Sequence, residues 1–147
     1  MKTLLKFVKN LLEKLKVLKS TKHITSSLKL KYFKLTEFDS PDEVGSGYRM
    51  DKDFLYRLDT ARGIAGIPFK INSAYRTENH NDNIIKATPT SSHKKGLAVD
   101  IGYYGSRERY LILNALMQVG FNRFGIAKTF IHCDVDKSKD PDVIWLY

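Results

Sequence analysis

The sequence predicts an α+β fold, and three observations carry that expectation. Periodic stretches run in the order helix, strand, long polar loop, strand, helix, strands, a pattern of mixed elements around a mainly antiparallel sheet. A 42% hydrophobic share over 147 residues supports one packed core and excludes a disordered chain. Charge is divided sharply along the sequence. Ten lysines stand against Glu13 alone in residues 1–34, and the remaining residues balance fifteen basic against fifteen acidic side chains, so the net +9 belongs to the N-terminal arm. The expected organisation is a basic amphipathic helix with a polar linker over residues 1–27, then one domain over 28–147.

In the arm, Leu4, Val8, Leu11, Leu15 and Leu18 recur at helical spacing, with Lys2, Lys6, Lys9, Lys16 and Lys19 interrupting the stripe. Those lysines leave no unbroken apolar stretch of signal-peptide length, and no small-residue cleavage site follows, so a cleavable signal is not expected. No segment approaches 18 uncharged apolar residues, which excludes a spanning helix. A lysine-rich helix over residues 1–19 suits an anionic membrane or a partner helix, and equally suits packing on its own domain. The sequence pI of 9.6 would suggest nucleic acid, but the body is neutral, and nucleic acid is not an expected partner. Ser20 to Ser27, with His23, reads as the linker.

Leu30 to Phe38 alternates weakly, as a strand or a docked loop, and Ser40-Pro41-Asp42 and Gly45-Ser46-Gly47 mark turns. A helix is expected over 51–65, with Phe54, Leu55, Leu58 and Ala61 on one face and Gly66 then Pro68 as its stop. Strands are expected over 69–74 and 97–103, joined by a polar loop from Arg76 to His93. A second helix over 107–119 stops at Gly120. Strands over 121–126 and 130–135 follow, and the segment from Val143 to Tyr147, with Trp145, reads as a terminal strand closing the core. The lone Cys133 excludes an intrachain disulfide framework and a cysteine-based zinc finger, and does not fix a compartment.

Three segments carry chemistry. The first is Ser91-Ser92-His93-Lys94-Lys95-Gly96-Leu97-Ala98-Val99-Asp100. Fully extended, at about 3.3 Å per residue, it would hold His93 and Asp100 roughly 23 Å apart. They can share an ion only if the chain reverses, and Lys94-Lys95-Gly96 is a place to do so. An acid between apolar neighbours is costly unless something cationic meets it; pairing with a lysine or capping a turn would also serve.

The second is Phe130-Ile131-His132-Cys133-Asp134-Val135-Asp136, where strand alternation puts the histidine and acids on one face. Cys133 then points away as a buried hydrophobe, and His132 is open to either a ligand or a structural role. The third is Ser73-Ala74-Tyr75-Arg76, from which an Arg can hold a carboxylate or oxyanion, or brace the loop. His80, between two asparagines, reads as loop scaffold, and Lys94 and Lys95 as solvated turn residues.

Ser73-Ala74-Tyr75-Arg76, Ser91-x-His93-x-x-Gly96-x-Ala98-x-Asp100 and His132-x-Asp134 together resemble peptidase family M15, the zinc D-Ala-D-Ala carboxypeptidases and endolysin peptidases. The closer resemblance is to the branch named for the C-terminal domain of subfamily A. It extends over about residues 31–147 and includes Tyr32-Phe33-x-Leu35-x-Glu37-Phe38, Ala65-Gly66-x-Pro68 and Gly120-Phe121. Three ordered motifs are far more specific than any one.

The resemblance implies a hedgehog/D-Ala-D-Ala peptidase-like domain with Zn2+ on His93, Asp100 and His132 and a fourth position for water. It also implies Arg76 at the oxyanion and in substrate binding, Ser91 at the substrate, and peptidoglycan stem peptides as substrates. Many members of that family place Glu three residues before the last histidine; here Thr129 stands there. Asp134 is therefore the candidate general base, with a ligand-orienting acid as its other reading. The alternative function is a zinc-binding but non-catalytic module of the same fold; a third reading is a basic-arm binding protein. Action at the cell wall without a cleavable signal is compatible with release through a holin.

Overall fold

Asp51 starts the first helix, because its carboxylate accepts a hydrogen bond from the Phe54 N–H at 2.8 Å and satisfies a donor the helix leaves open. In the computed structural model, which describes residue 12 and residues 28–84 and 87–147, this helix, α1, covers Lys52–Ala65. Gly66 closes it in the left-handed conformation at φ 64°, as the Gly-x-Pro stop predicts. Its Phe54, Leu55, Leu58 and Ala61 are fully buried.

A short helix α2, Glu78–Asp82, lies inside the stretch expected to be loop. Thr77 caps it by accepting from the His80 N–H at 3.0 Å, a local signal that the polar composition conceals. The third helix, α3, covers Gly105–Gln118, buries Ile112, Ala115 and Leu116, and packs against α1. Leu30 to Phe38 forms no strand. It docks as an extended segment ending in a 3-10 turn at Leu35–Phe38, with Phe33 and Phe38 in the core. The arm helix expected over residues 1–27 lies outside the described residues apart from Leu12.

Five strands form one mixed sheet: β1 Lys70–Ser73, β2 Ala98–Gly102, β3 Arg123–Ile126, β4 Phe130–Asp134 and β5 Val143–Leu146. Their spatial order is β1-β2-β4-β3-β5, with antiparallel pairing everywhere except the parallel β3–β5 pair. The α+β expectation is met, and the sheet is mostly antiparallel.

Strand alternation divides the sheet into two faces. Val99 and Ile101 of β2, Ile131 and Cys133 of β4 and Phe124 of β3 join the helical residues in a single apolar cluster. The register places a different row on the other face: Ser73 beside Asp100, Asp100 beside His132, His132 beside Gly125, and Gly125 beside Trp145. Trp145 thus does not close the core. β5 is an edge strand whose indole lies on the polar face, with Ile144 and Leu146 exposed on the reverse.

Leu58 sits at the centre of the helix-to-sheet core with no exposure. Leu58→Ala is expected to destabilise the fold by about 2–5 kcal/mol, read as a lowered midpoint in denaturant unfolding. A change under about 0.5 kcal/mol, the size of an ordinary surface substitution, would contradict this packing.

Candidate metal centre

Asp100 and His132 are cross-strand partners on β2 and β4, so their side chains meet by register alone. His93 comes from the turn ahead of β2. That turn reverses through Gly96 at φ 69°, and a Cβ there would lie 2.9 Å from Met50 Cα. Glycine is therefore required both for the left-handed backbone and for the close approach. The reversal anticipated at Lys94-Lys95-Gly96 is the one observed.

The three donor atoms converge. His93 Nε2 lies 3.3 Å from His132 Nδ1 and 3.3 Å from Asp100 Oδ1, and His132 Nδ1 lies 2.8 Å from Asp100 Oδ1. All three residues are buried. Tetrahedral ligands about 2.0–2.1 Å from a zinc stand about 3.3 Å apart. Two of the edges match that figure, and the third is a hydrogen bond that an intervening cation would open.

The outer nitrogens support the same reading. His93 Nδ1–H donates to the Ala74 carbonyl at 2.7 Å, and a carbonyl can only accept, so Nε2 keeps its lone pair for the centre. His132 Nε2–H donates to Asp134 Oδ2 at 3.1 Å, which turns Nδ1 toward Asp100 and His93. Ligand histidines commonly give their second N–H to a carbonyl or carboxylate in this way. The donor set of two imidazoles and a carboxylate, with a cavity opening on it, fits a catalytic type of zinc site.

Charge at the centre is finely opposed. Burial penalises the Asp100 carboxylate, but the His132 and His93 imidazoles against it hold its pKa well below the usual range. Burial lowers the pKa of His93. For His132, burial acts in the same direction, yet its bonds to Asp100 and Asp134 outweigh it and raise the pKa. Burial also penalises Asp134, but hydrogen bonds from His132, from the Asp136 N–H and from Arg123 lower its pKa.

Arg76 emerges from β1 onto this centre. Its Nη2 donates to Asp100 Oδ2 at 3.0 Å and its Nε to Ser73 Oγ at 2.9 Å. The following residue fixes the loop, since Thr77 donates its N–H to Ser40 Oγ and its hydroxyl to Asp42 Oδ2. Ser91 is buried and lines the same cavity, of about 480 Å³, as do Arg76, His93, Asp100, His132 and Asp134. Every site residue expected from the sequence therefore reaches one cavity. His80 stays on α2 outside it. Lys94 is tied to Glu78 and Lys95 to Asp136. Cys133 is fully buried on the opposite face. Thr129 is exposed in the turn between β3 and β4 and is not among the lining residues.

A model of the peptidase M15 family matches residues 31–134, well over half of the chain. The chain belongs to the peptidase M15 family. No curated protein matches it. Within this peptidase M15 domain, His93, Asp100 and His132 form the metal-binding triad.

Sequence reasoning missed several residues at the cavity, Arg123, Lys139, Trp145 and Tyr147 among them. Arg123 on β3 donates through Nε to Asp134 Oδ1 at 2.8 Å and also donates to the Asp140 carbonyl. Trp145 stands 5.6 Å from the His132 ring centroid, and Tyr147 packs beside it. Both rings need the bare backbone of Gly125, where a Cβ would lie 2.7 Å from the indole and 2.6 Å from the Tyr147 ring. Gly125-x-x-x-x-x-x-His132 gave no readable signal, because only the parallel pairing of β5 reveals what the glycine accommodates.

Alanine at His93, Asp100 or His132 is expected to abolish retention of a divalent cation, checked by metal analysis of the purified variants. The lone tryptophan supplies an optical reading of the same event. Titrating the metal-free protein with zinc is expected to change Trp145 emission and to saturate near one equivalent; emission that ignores zinc would place the ion elsewhere.

Proposed function

We propose that this peptidase M15 domain is a zinc-dependent hydrolase of peptidoglycan stem peptides containing D-amino acids. The observation that carries the reading is the convergence of His93 Nε2, Asp100 Oδ1 and His132 Nδ1 within 3.3 Å of one another at the floor of an open cavity. When bound, zinc supplies a Lewis acid and a water of lowered pKa.

The chain's own residues do the rest. Arg76, clamped by Asp100 and Ser73, holds its guanidinium at the cavity with Nη1 in none of the hydrogen bonds among the described residues. That group is the donor for charge developing on the scissile carbonyl oxygen. Ser91 presents its hydroxyl to the bound peptide. Asp134 fixes the His132 ring through Nε2–H while its other oxygen is held by Arg123, the geometry of an orienting acid. On this reading the protein acts at the cell wall.

One observation favours the non-catalytic zinc module as a second reading. Asp134 is the only lining carboxylate outside the triad among the described residues, and both its oxygens are already engaged. Digestion of isolated peptidoglycan separates the two. The peptidase is expected to release D-alanine or cleaved stem peptides and to stop on addition of chelator. A protein that holds zinc and releases nothing is the module.

Asp134→Asn tests the orienting role. Zinc affinity is expected to fall about 10–100-fold, measured by competition with a chromophoric chelator. Unchanged affinity with lost turnover would instead identify Asp134 as the proton acceptor.

A further inference from the structure

The cavity holds more positive charge than its own carboxylates answer. Among the described residues lining it, Arg76, Arg123 and Lys139 stand against Asp100 and Asp134. Arg76 and Arg123 are each tied to one of those acids, at 3.0 and 2.8 Å. Among the described residues, Lys139 is paired with an acid only at the outer limit of contact. Its nearest acid, Asp136, is 4.0 Å away, and that carboxylate already takes Lys95 at 2.8 Å and the hydroxyls of Ser92 and Ser138.

What Lys139 does hold is informative. Its Nζ donates to Ser92 Oγ at 2.8 Å, which fastens the ammonium beside the residue preceding His93. An ammonium has three donors, so this bond leaves two for a ligand. The side chain is 32% exposed, enough to be reached from solvent. Trp145 and Tyr147 supply apolar surface to the same cavity. Excess positive charge beside apolar walls suits a ligand with a free carboxylate and a small apolar group.

We propose that Lys139 anchors the C-terminal carboxylate of the substrate peptide, which makes the enzyme a carboxypeptidase removing the last residue. The proposal rests on the peptidase reading above, and Lys139 lies beyond the matched residues 31–134. In the reaction the terminal C–N bond breaks, the water oxygen joins the acyl carbon, and both water protons end on the amine. The products are a shortened peptide carboxylate and a free ammonium amino acid. Chain internal to a crosslink has no carboxylate for Lys139 and binds poorly.

The test compares Nα-acetyl-Lys-D-Ala-D-Ala with its C-terminal amide on the zinc-loaded full chain, by calorimetric binding and by turnover. The acid is expected to bind roughly 10- to 100-fold tighter than the amide. Lys139→Gln is expected to bring that ratio near one, and Lys139→Arg to restore most of it. Lys137→Gln, which removes the same charge at an exposed position outside the cavity, is expected to keep the ratio.

Equal binding of acid and amide by the unaltered protein overturns the proposal without any variant. So does a ratio that Lys139→Gln leaves in place. Cleavage of both peptides at one rate sinks the anchor and spares the peptidase. Lys139-dependent preference for the acid with no cleavage of either peptide does the reverse.

Discussion

The pairing of β2 with β4 in one register governs the rest of the molecule. Asp100 opposite His132 puts two metal-binding groups on one face, and the same register puts Val99, Ile101, Ile131 and Cys133 in the core on the other. A slip of one residue would bring core side chains to the cavity and bury an acid and an imidazole among phenylalanines. Burial of the apolar face therefore specifies the site as firmly as it specifies the fold. β1, β3 and β5 extend the same row outward, which is how Ser73, Gly125 and Trp145 come to flank the centre.

Such a row concentrates charges that water no longer screens. Asp100, Asp134, His93 and His132 are nearly dry, and each is tied to another of the set or to an arginine. Pairs of this kind contribute little net stability, because desolvation offsets their attraction. Removing one member leaves its partner buried and uncompensated. The arrangement is better understood as a holder of geometry, in which Arg76 and Arg123 stiffen the acids that in turn aim the imidazoles.

Much of this was legible in the sequence because it rests on short-range rules. Asp51 and Gly66 bounded α1 to within a residue, and alternation in Phe130 to Asp134 separated His132 and Asp134 from Cys133. The turn at Gly96 followed from the need for His93 to meet Asp100. The features that escaped depend on contacts between distant segments. Arg123 lies in a strand otherwise apolar, and nothing in Arg123-Phe124-Gly125-Ile126 announces that its guanidinium reaches Asp134 across the β3–β4 pair. Trp145 looked like a core residue because large aromatics usually are; the parallel addition of β5 at the sheet edge turned it to the cavity instead. Thr77, capping α2, was hidden inside a run of polar residues that composition alone reads as loop.

The position of Asp134 also bears on how this domain manages without a glutamate at residue 129. Strand alternation puts Asp134 on the face of His132, two residues on, where its Oδ2 meets Nε2 on the side of the ring away from Asp100. An acid there cannot serve the ring and the centre equally: the bond to Nε2 keeps Nδ1 aimed inward only while it persists. Arg123 strengthens that commitment, since a guanidinium at 2.8 Å favours the charged carboxylate and opposes its protonation. A proton on Oδ2 would cost Asp134 its hold on His132 and weaken its pairing with Arg123 through Oδ1. These contacts are what the proposed orienting role of Asp134 rests on. On the proposed peptidase reading, Arg76, whose Nη1 is in none of the hydrogen bonds among the described residues, is the group that would meet the charge building on a substrate carbonyl.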